Sequence, residues 1–85
     1  MHAPCKRIVY VLRSVRNPER HYVGLTADLS KRVDCHNAGQ NAHTATDRPW
    51  IVVVSLEFRR DEAAVRFERY LKTGSGRAFS KRHFA

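Results

Sequence analysis

Tyr22-Val23-Gly24-Leu25-Thr26-Ala27-Asp28-Leu29-Ser30-Lys31-Arg32-Val33-Asp34-Cys35-His36-Asn37-Ala38-Gly39 is the stretch whose reading decides the fold. Its head, Tyr22 to Leu25, reads as a strand returning from an earlier run, Ile8 to Leu12, which is rich in β-branched and aromatic residues. Between the two, Asn17-Pro18 makes a turn, because Pro fixes φ and an Asn side chain favours turn geometry. The result is a hairpin with a long loop, which brings Tyr10 near Tyr22 when both side chains emerge on one face. Past Leu25 the apolar period changes. Thr26 or Asp28 caps a helix, Leu29 and Val33 recur at i and i+4 as its core stripe, and Gly39 stands as the C′ residue that stops it. Arg32 and His36 are spaced in the same way and share one helix face beside that stripe.

Working outward, residues 39–49 carry Gly, Asn, Thr, Asp and Pro without periodicity and read as a loop. Trp50 to Phe58 is the longest β-branched run and predicts a third strand. Asp61 is placed to cap a second helix with Ala64, Phe67 and Leu71 inward and Arg66, Arg69 and Lys72 outward, and Gly74 to end it. Arg77 to Phe84 reads as a last, short helical turn docked by Phe79 and Phe84. This order predicts one α+β domain over residues 1–85, a small three-stranded antiparallel sheet flanked by helices in the order β-β-α-β-α with a short C-terminal helix.

Sixteen Lys and Arg against eight Asp and Glu give a formal charge of +8 and a pI near 10.3. A polyanionic partner is the expectation, with nucleic acid first. The basic residues are spread along the chain, which favours a positive face on a folded surface over a disordered basic tail. Ile8 to Leu12 is too short for a signal segment and no apolar stretch approaches a membrane span, so a cytoplasmic protein is expected. Cys5 and Cys35 are far below the density of a disulfide scaffold. With His2, His36 and His43 they bring zinc to mind, yet there is no Cys-x-x-Cys or His-x-x-x-His spacing, and a buried thiol beside unrelated histidines is the better reading.

Taken together, Ile8-Val9-Tyr10, Tyr22-Val23-Gly24, the helix with Arg32 and the ending His36-Asn37-Ala38-Gly39, then His43-Thr44, Arg48-Pro49-Trp50, the helix bearing Glu68 and the ending Gly74 to Phe79 resemble the GIY-YIG nuclease family over nearly the whole chain. The small stand-alone bacterial members are the most similar. The resemblance implies a phosphodiesterase whose catalytic residues are Tyr10, Tyr22, Arg32 and His36, with Glu68 as the ligand of one Mg²⁺ or Mn²⁺ ion. Tyr10 would act as general base on the attacking water, Tyr22 would hold the phosphate or the water, and His36 would bind the phosphate or orient Tyr22. Gly24, His43, Arg77 and Lys81 are the implied substrate-binding positions.

The chemistry suits these residue types. Cutting a phosphodiester requires an activated water, charge compensation on the phosphoryl oxygens and help for the leaving oxygen. A carboxylate is a hard ligand for Mg²⁺, which keeps several waters and takes phosphate oxygens as further ligands. Arg32 offers the paired N–H donors that lysine lacks. A free phenol titrates near 10, so a tyrosine base needs help, here expected from Arg32, the metal and the positive field. Each residue alone has a plainer reading: strand tyrosines as packing groups, Glu68 with Lys72 as a surface i, i+4 pair, Arg32 and His36 as solvated helix residues. Their agreement in order is what favours a site. Gly74-Ser75-Gly76 lacks the Lys-Ser/Thr of a phosphate loop and reads as a helix stop.

The chain departs from the family at Ile8, which replaces its first glycine, at Val9 and Val23, and in the C-terminal asparagine. No Asn follows Asn41, and Ser80, Lys81 or Arg82 stands in that region. The leading expectation is a metal-dependent endonuclease acting on DNA more readily than RNA, structure-selective or of low sequence specificity, in repair or recombination. The alternatives are a non-catalytic nucleic-acid-binding module on the same fold, and a subunit that needs a protein partner.

Overall fold

A computed structural model describes residues 6–84. Cys5 and His2, considered above for zinc, lie outside the described residues. Three strands, β1 (Ile8–Ser14), β2 (His21–Thr26) and β3 (Trp50–Glu57), form one antiparallel sheet in the order β2-β1-β3. Helix α1 (Leu29–Asn37) follows β2, and α2 (Asp61–Leu71) and α3 (Gly74–His83) follow β3. The α+β class and the three-stranded antiparallel sheet expected from the sequence are both present.

The central position of β1 explains its composition. It pairs on both edges and is covered on both faces, so Val9, Tyr10, Val11 and Leu12 are all buried. Because successive strand side chains alternate, they divide between two cores. Val9 and Val11 join Ala64 and Leu71, with Phe58, Phe67, Phe79 and Phe84 packed around them, on the side of α2 and α3. Tyr10 and Leu12 join Trp50, with Tyr22, Leu29 and Val33, on the side of α1. Full burial of each such aliphatic side chain contributes about 1.5–3 kcal/mol. Pairing sets Tyr10 opposite Gly24 and Leu12 opposite Tyr22, which fixes the two tyrosines as diagonal neighbours on one face. A bulge between Val11 and Leu12 in the β1–β3 ladder turns the far end of β3 so that Trp50 faces α1.

Asp28, not Thr26, caps α1, accepting from the Lys31 N–H at 3.1 Å; Thr26 Oγ1 accepts from the Asp28 N–H one step earlier. Gly39 takes φ +79° just beyond the helix, the left-handed conformation a C′ residue needs.

Three expectations about the C-terminal half need correction. Asp61 is the first residue of α2 and not its cap, which is Arg60, without a side-chain cap bond. Gly74 does not end α2. It opens α3, whose cap is Thr73, with Oγ1 accepting from the Gly76 N–H at 3.1 Å. The last element is a ten-residue helix and not a short turn from Arg77. Its docking is aromatic: Phe79 lies edge-on to Phe67 and Phe84 at ring separations of 6.1 and 5.5 Å. Among the described residues no helix is long and apolar enough to cross a membrane.

Candidate active site

Tyr10 reaches from the central strand toward the edge strand β2, and its hydroxyl lies directly over Gly24. A Cβ at Gly24 would stand 2.2 Å from Tyr10 Oη, so only glycine leaves room for the phenol. Arg32 and His36, one turn apart on the inner face of α1, meet that hydroxyl. Arg32 Nε donates to Tyr10 Oη at 3.3 Å, and Tyr10 Oη and His36 Nε2 are 2.9 Å apart. Tyr22 completes the group by packing its ring on His36 at 4.8 Å and near Tyr10 at 6.3 Å. The four residues assigned to catalysis by the resemblance are therefore brought together.

Burial sets their protonation. Tyr10 and His36 are fully shielded from solvent, whereas Tyr22 and Arg32 are half-buried. Desolvation raises the Tyr10 pKa above its ordinary value of 10; the Arg32 hydrogen bond opposes this, and the charges of Tyr22 and Glu68 add to the rise. Arg32 does favour the phenolate, as expected, but in the free protein desolvation of the buried ring outweighs the guanidinium and the phenol holds its proton. His36 is lowered from 6.5, first by burial and then by repulsion from Arg32, so it is neutral near pH 7. Arg32 is raised further, chiefly by its bond to Tyr10, and is always charged.

Glu68 approaches from the opposite side of the sheet. It shares the α2 stripe of Ala64 and Leu71 that faces the strands, its side chain is only 15% exposed, and its charge is felt at the Tyr10 hydroxyl. Lys72 Nζ sits 2.6 Å from Glu68 Oε2, so the expected i, i+4 pair is real. Among the described residues no three metal-ligating side chains cluster. The donor set is one hard carboxylate that already holds a cation, the Lys72 ammonium, which fits a single divalent ion completed by water and phosphate oxygens.

Along the β2 edge runs a groove of about 1050 Å³, bordered by Arg20, Tyr22, Lys72, Arg77, Ser80 and Lys81 among others. Arg77 and Lys81 thus line the same groove as Tyr22, as does Ser80 from the region where the family carries its asparagine. Arg82 does not border the groove. His43 is exposed on the loop, and its backbone N–H is held by Asn41 Oδ1. It is the next residue, Thr44, that touches the site: fully buried, its Oγ1 is 2.7 Å from His36 Nδ1. In the sequence Thr44 stands in the resemblance only as the neighbour of His43, and an aperiodic loop carries no pattern that aims its hydroxyl at His36. What places it is Trp50, whose indole N–H donates to the Thr44 carbonyl at 2.8 Å, and Asn37, which brackets the Trp50 backbone through both ends of its amide.

The model of the GIY-YIG catalytic domain matches residues 6–82. The chain belongs to the GIY-YIG family. The matching model is that of the family's catalytic domain. Similar curated proteins include the structure-specific endonuclease subunit SLX1 of Candida dubliniensis, 37% identical over 82 residues, or 88% of this chain and 27% of the relative. The slx1 protein of Talaromyces marneffei is 37% identical over 65 residues, 69% of this chain and 17% of its own length. UPF0213 protein SH2523 of Staphylococcus haemolyticus is 35% identical over 71 residues, 82% of this chain and 84% of the relative. The chain thus spans about a quarter or less of the fungal relatives it matches, and most of the staphylococcal one.

Proposed function

We propose that this GIY-YIG protein is a divalent-metal-dependent endonuclease that cuts DNA, selecting its substrate by structure more than by sequence. The observation that carries this reading is the hydrogen-bonded row of Arg32, Tyr10 and His36 beneath Gly24, a proton path next to a cation in a site shielded from water. Arg32 spends Nε on Tyr10 and keeps its terminal NH₂ groups for a phosphate oxygen. Turning toward that phosphate draws Arg32 off Tyr10 and opens the phenol to the attacking water, which Tyr22 helps to hold in line. Tyr10 Oη takes the proton from that water as its own proton passes to His36 Nε2, so no phenolate forms. The resulting hydroxide attacks phosphorus, the P–O3′ bond breaks, and the 3′ oxygen is protonated from solvent. Glu68 would hold the Mg²⁺ or Mn²⁺ ion, with Lys72 giving way to it; when bound, that ion supplies charge compensation at the phosphate and the leaving oxygen.

Basic side chains along the groove, Arg77 and Lys81 foremost, track the phosphate backbone. So small a surface reads little sequence, which favours recognition of flaps, branches or distortions. Two relatives are named as subunits of a structure-specific endonuclease, which supports branched DNA as the substrate, a repair or recombination role and a protein partner as a second component. A cytoplasmic location is part of the same reading; among the described residues no helix is long and apolar enough to cross a membrane.

The test is to incubate purified protein with single-stranded, duplex, flapped and branched DNA in Mg²⁺, Mn²⁺ or EDTA, with Glu68→Ala beside it. Cleavage in metal, none in EDTA, and a Glu68→Ala protein that binds without cutting are expected. Equal cutting by the variant would remove Glu68 from the metal role, and no cutting of any substrate would sink the endonuclease reading.

A further inference from the structure

The family resemblance assigns His36 but nothing that decides which of its ring nitrogens carries the proton, and the two possibilities give opposite chemistry. With the proton on Nε2 the imidazole donates to Tyr10 and cannot receive the phenol's proton. With the proton on Nδ1 it can. Counting donors and acceptors settles the choice. The Tyr10 hydroxyl has one hydrogen, the side chain is fully buried, and its oxygen already accepts from the charged Arg32 Nε. Apart from Arg32, which is donor-only, His36 Nε2 is the only hydrogen-bond partner of that hydroxyl among the described residues. Were Nε2 protonated, three hydrogens would converge on one buried oxygen and the phenolic one would have no acceptor. That is an unsatisfied donor costing about 1–3 kcal/mol.

The other end of the ring agrees. Thr44 Oγ1 lies 2.7 Å from His36 Nδ1 and also points at the Asn41 carbonyl, 3.4 Å away, which takes only a donated hydrogen. A threonine that gives its hydrogen to Asn41 presents a lone pair to Nδ1. The whole row then runs in one direction: Arg32 N–H to Tyr10 O, Tyr10 O–H to His36 Nε2, His36 Nδ1–H to Thr44 Oγ1, Thr44 O–H to Asn41 carbonyl.

We propose that Thr44 is a positioning residue, whose buried hydroxyl holds His36 as the Nδ1–H tautomer and so keeps Nε2 open to the proton of Tyr10. The proposal rests on the nuclease reading for its catalytic consequence, and on the hydrogen bonds alone for the tautomer. It explains why the loop is anchored so firmly at this point. Thr44 N–H bonds the Asn41 carbonyl at 3.1 Å, and Trp50 clamps the Thr44 carbonyl, so the hydroxyl is held at a fixed height under the ring.

The experiment is long-range ¹H–¹⁵N correlation on ¹⁵N-histidine-labelled protein near pH 7.5, with single-turnover cleavage of whichever DNA the parent cuts. For the parent, a protonated Nδ1 and an unprotonated Nε2 at His36 are expected. Thr44→Val keeps the volume and removes the acceptor. It should move the proton to Nε2 and slow cleavage by about tenfold or more, with DNA affinity unchanged. Thr44→Ser should restore both the tautomer and the rate, which a merely packing role of the methyl group would not. The parent spectrum decides the tautomer even if a variant fails to fold, and Nε2–H in the parent overturns the proposal. So does Thr44→Val with the parental tautomer, or with a switched tautomer and the parental rate. A parent that shows Nδ1–H yet cuts no DNA upholds the tautomer and sinks only the nuclease reading.

Discussion

At Gly24 the site depends on an absent side chain. The phenol of Tyr10 is rigid and buried, so it has nowhere to retreat from a methyl group placed 2.2 Å from its oxygen. Gly24→Ala should therefore displace the hydroxyl from Arg32 and His36 and lower single-turnover cleavage by at least about two orders of magnitude, the range for a lost acid–base group. The strand itself should survive with a cost of about 1–3 kcal/mol. Parental cleavage in a folded Gly24→Ala protein would show that Tyr10 need not lie there. The same burial predicts a pH signature. The folded pKa of His36 is depressed, so the unfolded chain binds the extra proton first and stability falls as pH drops below the unfolded value near 6.5. Tyr10 is raised, so the unfolded chain loses its proton first and stability falls as pH climbs past 10. Urea midpoints should form a plateau between those limits, and His36→Gln should flatten its acid side. The resemblance singled out Tyr10, Tyr22, Arg32 and His36, and that they meet was legible in the sequence because a hairpin and a helix of regular period fix which side chains share a face. It did not reveal that Tyr10 is sealed from water, since burial depends on how far α1 closes over the sheet.

At the scale of elements, Gly74-Ser75-Gly76 follows the interruption its glycines signal but opens a helix and does not close one. Glycines signal a break in helical preference, but the cap of the next helix is Thr73, and α3 continues through both glycines because its aromatic face is docked on α2. The two glycines differ in their surroundings. Gly76 is buried with its hydrogen against the Tyr70 carbonyl, where a Cβ would meet backbone atoms that cannot move aside. Gly74 is exposed with nothing near its missing Cβ. Gly76→Ala should lower the stability by roughly 1–3 kcal/mol or more, and Gly74→Ala should leave it unchanged or raise it by about 0.4–1 kcal/mol. Thermal melts of the two variants, read by circular dichroism, check this; equal Tm values would mean that α3 is not seated against the end of α2. Strands and first helix were legible because period and composition agree there. The end of α2 was not, since its arrest and the start of α3 come from a tertiary contact between backbones that no local pattern carries.

For the molecule as a whole, the formal charge of +8 matters less than where it is free to act. Arg20 is engaged by Asp47 at 3.4 Å and Lys72 by Glu68, whereas Arg77 and Lys81 border the groove with no ion pair among the described residues. Counterion release makes the logarithm of affinity fall linearly with the logarithm of salt concentration, with a slope of about 0.9 per phosphate neutralised on duplex DNA. If the groove is where the backbone runs, removing both free cations in Arg77→Ala/Lys81→Ala should reduce that slope by about 2. The control is Arg66→Ala/Arg69→Ala, which removes the same amount of charge from exposed positions on α2 that do not border the groove. Its slope should stay close to the parent's, because exposed charges beyond about 10 Å are screened at ordinary ionic strength. Fluorescence anisotropy in EDTA, titrated from low to moderate salt, measures all three slopes, with cleavage expected to be absent without the metal. Equal loss from the two double variants would mean that DNA feels only the net charge, and the groove along β2 would have no claim to be the path of the backbone.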